Sequence, residues 1–161
     1  MLVGGADEEE ESLYNTRSRL NREHLHLACG ASFFVLSNEN HHSEAVKVVD
    51  VGSFGLIDGI TDCISHFLAS NDLDAKSIDL VLFAQNDQQK MDQLKSIFPR
   101  ERLCDYQKLT GTYYTNSAFA MHYGVDMLLN NTKTTEAEVR YILVCNNVIP
   151  ENLGLILLSI K

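Results

Sequence analysis

Apolar residues fall along this chain with two spacings. From Leu56 the spacing is helical: Ile57, Ile60, Ile64, Phe67 and Leu68 recur at i, i+3, i+7, i+10 and i+11, one stripe of an amphipathic helix. A second helix is predicted over 88–98, with Met91, Leu94, Ile97 and Phe98 inward and Pro99 as its stop. Compact apolar runs bounded by polar residues read instead as strands, at 2–6, Ala31–Leu36, Ala45–Val51, Ile78–Ala84, Arg140–Cys145 and Gly154–Ile160. A weaker strand is expected at Cys104–Tyr106. The polar stretch 7–28 reads as a long loop with room for one helical turn, and Ser37–Ser43 reads as a polar turn.

Thr115–Leu129 is different. Thr115 or Asn116 can cap it, and Ala118, Met121, Val125, Leu128 and Leu129 form one stripe. Phe119, Ala120, Tyr123 and Met127 lie elsewhere around the circumference. A helix apolar nearly all round is expected to be buried on more than one side. Strands alternating with helices predict a mainly parallel α/β sheet. The last two strands, joined by a turn carrying Pro150, are expected to form its antiparallel edge.

Composition narrows the function classes. The 161 residues, 45% hydrophobic and 22% charged, suit one globular domain. A net charge of -9 with only 13 scattered basic residues excludes a nucleic-acid partner, whose phosphates demand clustered Lys and Arg. Cys29, Cys63, Cys104 and Cys145 are widely spaced with no C-x-x-C, which predicts free thiols in a reducing compartment. The N-terminus leads straight into the acidic run Asp7–Glu11, read as a solvated loop start, and no signal peptide is expected. Leu153–Ile160 is too short to span a bilayer, so no membrane partner is expected and the protein is predicted to be cytoplasmic.

The candidate chemical residues have plain readings. Cys29, Cys63 and Cys145 have no adjacent base in sequence to make a nucleophile, and Cys63 lies beside the first helix's apolar stripe. His41 and His42 read as solvated turn residues, and His24 and His26 likewise, since further metal ligands are not announced. His122, on the apolar helix, is expected to be a satisfied core or interface residue.

Five segments in order resemble a known family. Leu2-Val-Gly-Gly-Ala-Asp-Glu8 resembles the strand L-V-G-G-x-x-E that follows the nucleophile helix in β-ketoacyl-[acyl-carrier-protein] synthases. Gly30-Ala-Ser-Phe-Phe-Val-Leu36 is similar to their G-A-G-x-x-V-L. Ala84-Gln85-Asn86-Asp87 falls where the family has A-H-G-T, and Lys108-Leu-Thr-Gly-Thr112 where a lysine segment ends in T-G-H. Cys145-Asn146-Asn147 falls at N-S-F-G-F-G-G. The resemblance implies the C-terminal half of a thiolase-like protein, with 44–161 as that half and 1–43 as a remnant of the N-terminal half holding two leftover strands. The C-terminal half would be a five-stranded mixed sheet, mostly parallel with an antiparallel last strand, and helices packed on it.

The same resemblance implies a chemistry and its loss. Decarboxylative condensation needs a thiolate nucleophile at a helix N-terminus and two His that stabilise the enolate. The nucleophile's helix would precede Met1, while Gln85 and Thr112 occupy the His positions. Gln and Thr donate hydrogen bonds but carry no positive charge and shuttle no proton near neutral pH. If each His acts as an oxyanion-hole donor, the loss is roughly 2.7–4 kcal/mol apiece. Lys108 and Asn146 remain at family positions, Lys108 either as a vestige or as an ordinary loop charge. Val148-Ile-Pro-Glu-Asn152 replaces the Gly-rich turn. The expectation is a degenerate 3-oxoacyl synthase-like protein without a cofactor, non-catalytic alone, like a chain-length factor. Its partners would be acyl carrier protein, whose phosphopantetheine thioester carries the acyl group, or a catalytic synthase subunit, in a homo- or hetero-oligomer. The alternative is half of a split or truncated synthase, active only with the part that supplies the nucleophile.

Overall fold

The computed structural model describes residues 1–7, 29–38, 45–85, 87–111, 113, 115–131, 139–149 and 151–160. The expectations for most of 7–28, for the turn up to Ser43 and for Pro150 lie outside the described residues, as do those for His24, His26, His41 and His42. Strands β1 (Leu2–Asp7) and β2 (Gly30–Val35) pair antiparallel as a two-stranded sheet. A five-stranded sheet holds β3 (Val46–Gly55), β4 (Leu80–Gln85), β5 (Leu103–Asp105), β6 (Tyr141–Asn147) and β7 (Asn152–Ile160) in the order β3-β7-β6-β4-β5. The helices are α1 (Thr61–Ser70), α2 (Gln88–Ile97), the single turn α3 (Gln107–Thr110) and α4 (Asn116–Asn131).

Four of the five strands run one way and β7 runs against them, pairing antiparallel with both β3 and β6. The mixed sheet with one reversed strand is as expected, but β7 is not at the edge. It lies inside, and β3 takes the edge by pairing with β7 from Val46↔Ile160 to Gly55↔Asn152. Burial explains the placement. β3 has no fully buried residue, whereas β6 buries Ile142 to Cys145 in succession and β7 buries Leu153, Leu155, Leu157 and Leu158. The ladder slips between Val48 and Asp50, a bulge. There the Asp50 carboxylate accepts from the Asn71 side-chain amide at 2.9 Å and from Val51 N–H at 2.8 Å.

The period of two along β4 sorts the core into two layers. Val81 and Phe83 face α1 and α2, where Ile64, Phe67, Leu68, Leu94 and Phe98 pack. Leu82 and Ala84 face α4, with Ile142, Val144 and Leu158 beside them. The α1 stripe starts earlier than its helix: Ile60 caps Thr61–Ser70, while Ile57 packs on the core from the preceding loop. α2 follows the predicted pattern, with an Asp87 N-cap whose carboxylate accepts from Lys90 N–H at 3.2 Å.

α4 lies between the two sheets, touching β6 and β7 on one side and β2 on the other. The expected stripe is rotated, however. The fully buried line is Asn116, Ala120, Gly124 and Leu128, one residue per turn. Gly124 sets the closeness of approach, since a Cβ there would meet Leu158 Cδ1 at 2.9 Å and Leu82 Cδ1 at 3.4 Å. His122 is exposed rather than a core residue, with its ring centroid 6.1 Å from that of Phe34. It shares the outer line with Asp126 and Asn130, so the polar stripe is one residue wide.

The two-stranded sheet has a contrasting pair of faces. Asp7, Gly30 and Phe34 face α4, while Leu2, Gly4, Ala6, Ala31, Phe33 and Val35 point outward and are exposed. Every outward residue is apolar.

Candidate functional site

The register of the parallel strands brings the sequence-derived positions toward one end of the sheet. Ala84 lies opposite Asn146, Gln85 opposite Asn147, and Phe83 opposite Asp105. The carboxyl ends of β4, β5 and β6 therefore meet, where open α/β sheets hold their ligands. Gln85 ends β4 and Asn146 is one register step away on β6. Thr112 is outside the described residues. Gly111 has a φ of 73°, the left-handed region that a side chain would strain, and its N–H closes α3 on Gln107 at 2.8 Å. Lys108 points away into solvent, its side chain 80% exposed and 3.8 Å from the Asp105 carboxylate. An ion pair so exposed contributes little.

Beneath this end lies a polar cluster that sequence reasoning did not single out. Tyr106, directly after β5, is fully buried, and its hydroxyl donates to Asn116 Oδ1 at 3.5 Å. Asn116 Nδ2 is buried without a partner among the described residues. Burial pushes the Tyr106 hydroxyl well above the usual phenol range, with Cys145, Tyr113 and Asp105 adding to it. Asp7, from β1, accepts from Thr115 N–H at 2.6 Å and from Thr115 Oγ1 at 2.7 Å. A carboxylate at the start of α4 suits the helix dipole and ties the small sheet to the large one. Asp7 is therefore no solvated loop charge. The sequence signals for this cluster were an Asn one position inside a helix start and a Tyr after a short strand, both ordinary until the fold joins them.

Of the remaining candidates, Asn146 and its neighbour Asn147 hold a turn. Asn146 Oδ1 accepts from Val148 N–H at 3.2 Å, and Asn147 Nδ2 donates to the carbonyls of Ile149 and Asn152. Both side chains thus brace the turn between β6 and β7. Burial pushes the thiols of Cys63, Cys104 and Cys145 up, aided by Asp62 at Cys63 and by Asp105 at Cys104. A raised thiol is a poorer source of thiolate. Cys29 is exposed. No group of three or more His, Cys, Asp or Glu among the described residues is placed to hold a metal.

Three exposed apolar side chains rim the same end. Leu56 follows β3, Ile149 follows β6 and Leu109 sits on α3 after β5, at 92%, 40% and 60% exposure. Leu56 also has a φ of 56°, which a non-glycine residue rarely adopts. This end thus carries the Asn146 amide, the buried Tyr106–Asn116 contact and the exposed Lys108–Asp105 pair within an apolar border, and among the described residues no activated nucleophile. No helix is long and apolar enough to cross a membrane among the described residues.

No family model matches the chain, and no curated protein matches it. Solved structures do. A structure titled the ishigamide ketosynthase/chain length factor superposes with a TM-score of 0.80 at 16% identity, covering 99% of this chain and 48% of that one. A β-ketoacyl synthase from Burkholderia phymatum STM815 gives 0.71 at 15% identity, covering 100% and 54%. The 3-oxoacyl-[acyl-carrier-protein] synthase III of Aquifex aeolicus VF5 gives 0.55 at 15% identity, covering 98% and 57%. The chain spans about half the length of the solved structures it matches. With its reversed interior strand and its helix between two sheets, the chain has the thiolase-like fold of a ketosynthase half.

Proposed function

We propose that this chain is a degenerate 3-oxoacyl-[acyl-carrier-protein] synthase-like protein, non-catalytic alone, that works beside a catalytic synthase subunit as a chain-length factor does. The observation that carries the reading is the chemistry of the strand ends. The positions at which the resemblance expects two His hold Gln85 and Thr112, and burial raises the thiols of Cys104 and Cys145 nearby. A condensing site needs a thiolate and enolate-stabilising donors, and this set offers neither a low thiol nor a cation poised near neutral pH. The apolar outer face of the β1–β2 sheet supports a partner role, because an uncharged face of this kind is normally covered. A synthase-type chain is the occupant we assign to it, and acyl carrier protein docks on the assembly.

The test is intact-mass spectrometry after incubation with malonyl- and acyl-loaded carrier protein. The expected result is unmodified protein, and an acyl adduct on any of the four cysteines would refute the non-catalytic reading.

A second reading has its own support. This chain covers only 48% of the ketosynthase/chain length factor structure that it matches at a TM-score of 0.80. Half of a split synthase would look the same, and would gain acyltransferase activity when a polypeptide bearing the nucleophile is added. Adduct formation on that added chain, and only in the mixture, favours this second reading.

A further inference from the structure

The two sheets treat their edges differently. The large sheet ends in β3 and β5. β3 carries a bulge between Val48 and Asp50, with Lys47 and Asp50 as charges beside it, and β5 is three residues long. Bulges, charges and shortness all hinder a further strand from adding. β2 has none of these. Its six residues hold no charge and no Pro, and its register with β1 runs without a break.

The ladder decides which groups lie on that open edge. Met1 and Leu36 exchange both backbone bonds, at 2.7 and 2.8 Å, so the hydrogen-bonded pairs that follow are Val3–Phe34, Gly5–Ser32 and Asp7–Gly30. The N–H and C=O groups of Ala31, Phe33 and Val35 therefore point away from β1, and no strand meets them among the described residues. All three residues are exposed. A Cβ on Gly4 would meet Phe33 Cδ1 at 2.3 Å, so the Phe33 ring leans over β1 and leaves the outer edge of β2 clear. β1 has an open edge too, at Leu2, Gly4 and Ala6, but glycine weakens a strand and β1 holds two.

The edge of β2 is complementary to itself, because Ala31 and Val35 stand symmetrically about Phe33. Laid antiparallel against a second β2, Phe33 meets its counterpart on a twofold axis and Ala31 meets the partner's Val35. Every N–H and C=O group on the edge then finds a partner. At a net charge of -9 two copies repel over most of their surface, and an uncharged strand is where they approach most easily. We propose that a second copy of this chain adds to the free edge of β2, strand β2 on strand β2, in this register. The pairing lies in the plane of the sheet and does not use the outer face assigned above to a synthase-type chain, so neither reading depends on the other.

Residue-resolved amide exchange tests it, read beside the mass from light scattering over a dilution series. Where the mass is twice the 18.1 kDa of one chain, the Ala31, Phe33 and Val35 amides exchange roughly tenfold more slowly than after dilution to monomer. Those of Leu2, Gly4 and Ala6 exchange at one rate throughout. Ala31→Pro and Ala6→Pro then separate the two edges, because these residues lie opposite each other and neither amide serves the β1–β2 ladder. Ala31→Pro yields a monomer, and Ala6→Pro keeps the wild-type mass. Circular dichroism verifies that each variant is folded, and the wild-type exchange rates decide the matter without them. A wild type that stays monomeric overturns the proposal, as does an associated form whose β2-edge amides exchange as fast as those of β1. Equal masses for the two folded Pro variants also overturn it. An acyl adduct in the mass experiment would remove the non-catalytic reading and leave this contact untouched.

Discussion

The two sheets of this molecule are built from similar strands and end up in opposite conditions. In the large sheet an antiparallel pair, β6 and β7, is flanked by β4 and β3 and covered on one face by α1 and α2 and on the other by α4. In the small sheet an equivalent antiparallel pair, β1 and β2, has no neighbouring strand among the described residues and is covered on one face only. The sequences do not mark that difference. Gly30-Ala-Ser-Phe-Phe-Val35 and Tyr141-Ile-Leu-Val-Cys145 each hold three β-branched or aromatic strand formers. A strand rich in strand formers can thus carry, among the described residues, a face that nothing covers.

The comparison can be pressed in three ways short of its most direct test. Leu158→Ala removes a side chain that is fully buried where α4 meets the large sheet, and about 2–5 kcal/mol of stability should go with it. Denaturant melts measure this, and a cost under about 1 kcal/mol would mean that the α4 layer is loosely packed. Alkaline pH probes the same interior. Burial raises Cys145 and Tyr106, so their protons are held more tightly in the fold than in the unfolded chain. The resulting stabilisation is complete below the unfolded values, roughly pH 8.5 for the thiol and 10 for the phenol, and is lost as pH rises beyond them. The slope should approach about 1.4 kcal/mol per pH unit for the thiol above roughly pH 8.5, with the phenol adding as much above roughly pH 10, and Cys145→Ala would remove the first part. Smaller again is Asp7→Ala, which releases both Thr115 bonds and should cost about 0.5–2 kcal/mol. Its amide-exchange signature is specific, with faster exchange at Thr115 and along β1 but not in β6. Uniform loosening would show that the two sheets are not joined there.

Much of this was legible in advance, and the misses have physical causes. Strand and helix positions followed from apolar spacing, because burial imposes a period of two or 3.6. Spacing says nothing about neighbours, so β7 was expected at an edge although its dense Leu and Ile content fits an interior strand better. In α4 nearly every position is apolar, which leaves the stripe ambiguous. Close packing at Gly124, with no side chain to register in a hydrophobic count, decided the buried face and turned His122 outward. At the site, the strand-end position of Gln85 and Asn146 came from motif order. The Tyr106–Asn116 contact and the Asp7–Thr115 tie join residues 10 and 108 positions apart, beyond any local pattern.

Light scattering on the purified wild type and on Phe33→Glu with Val35→Glu tests the exposed face of the small sheet directly. The wild type is expected to associate to a mass above the 18.1 kDa of one chain, and the doubly charged face to yield a folded monomer. A wild type that stays monomeric at every concentration, with its outer β1–β2 face open to water, would contradict it.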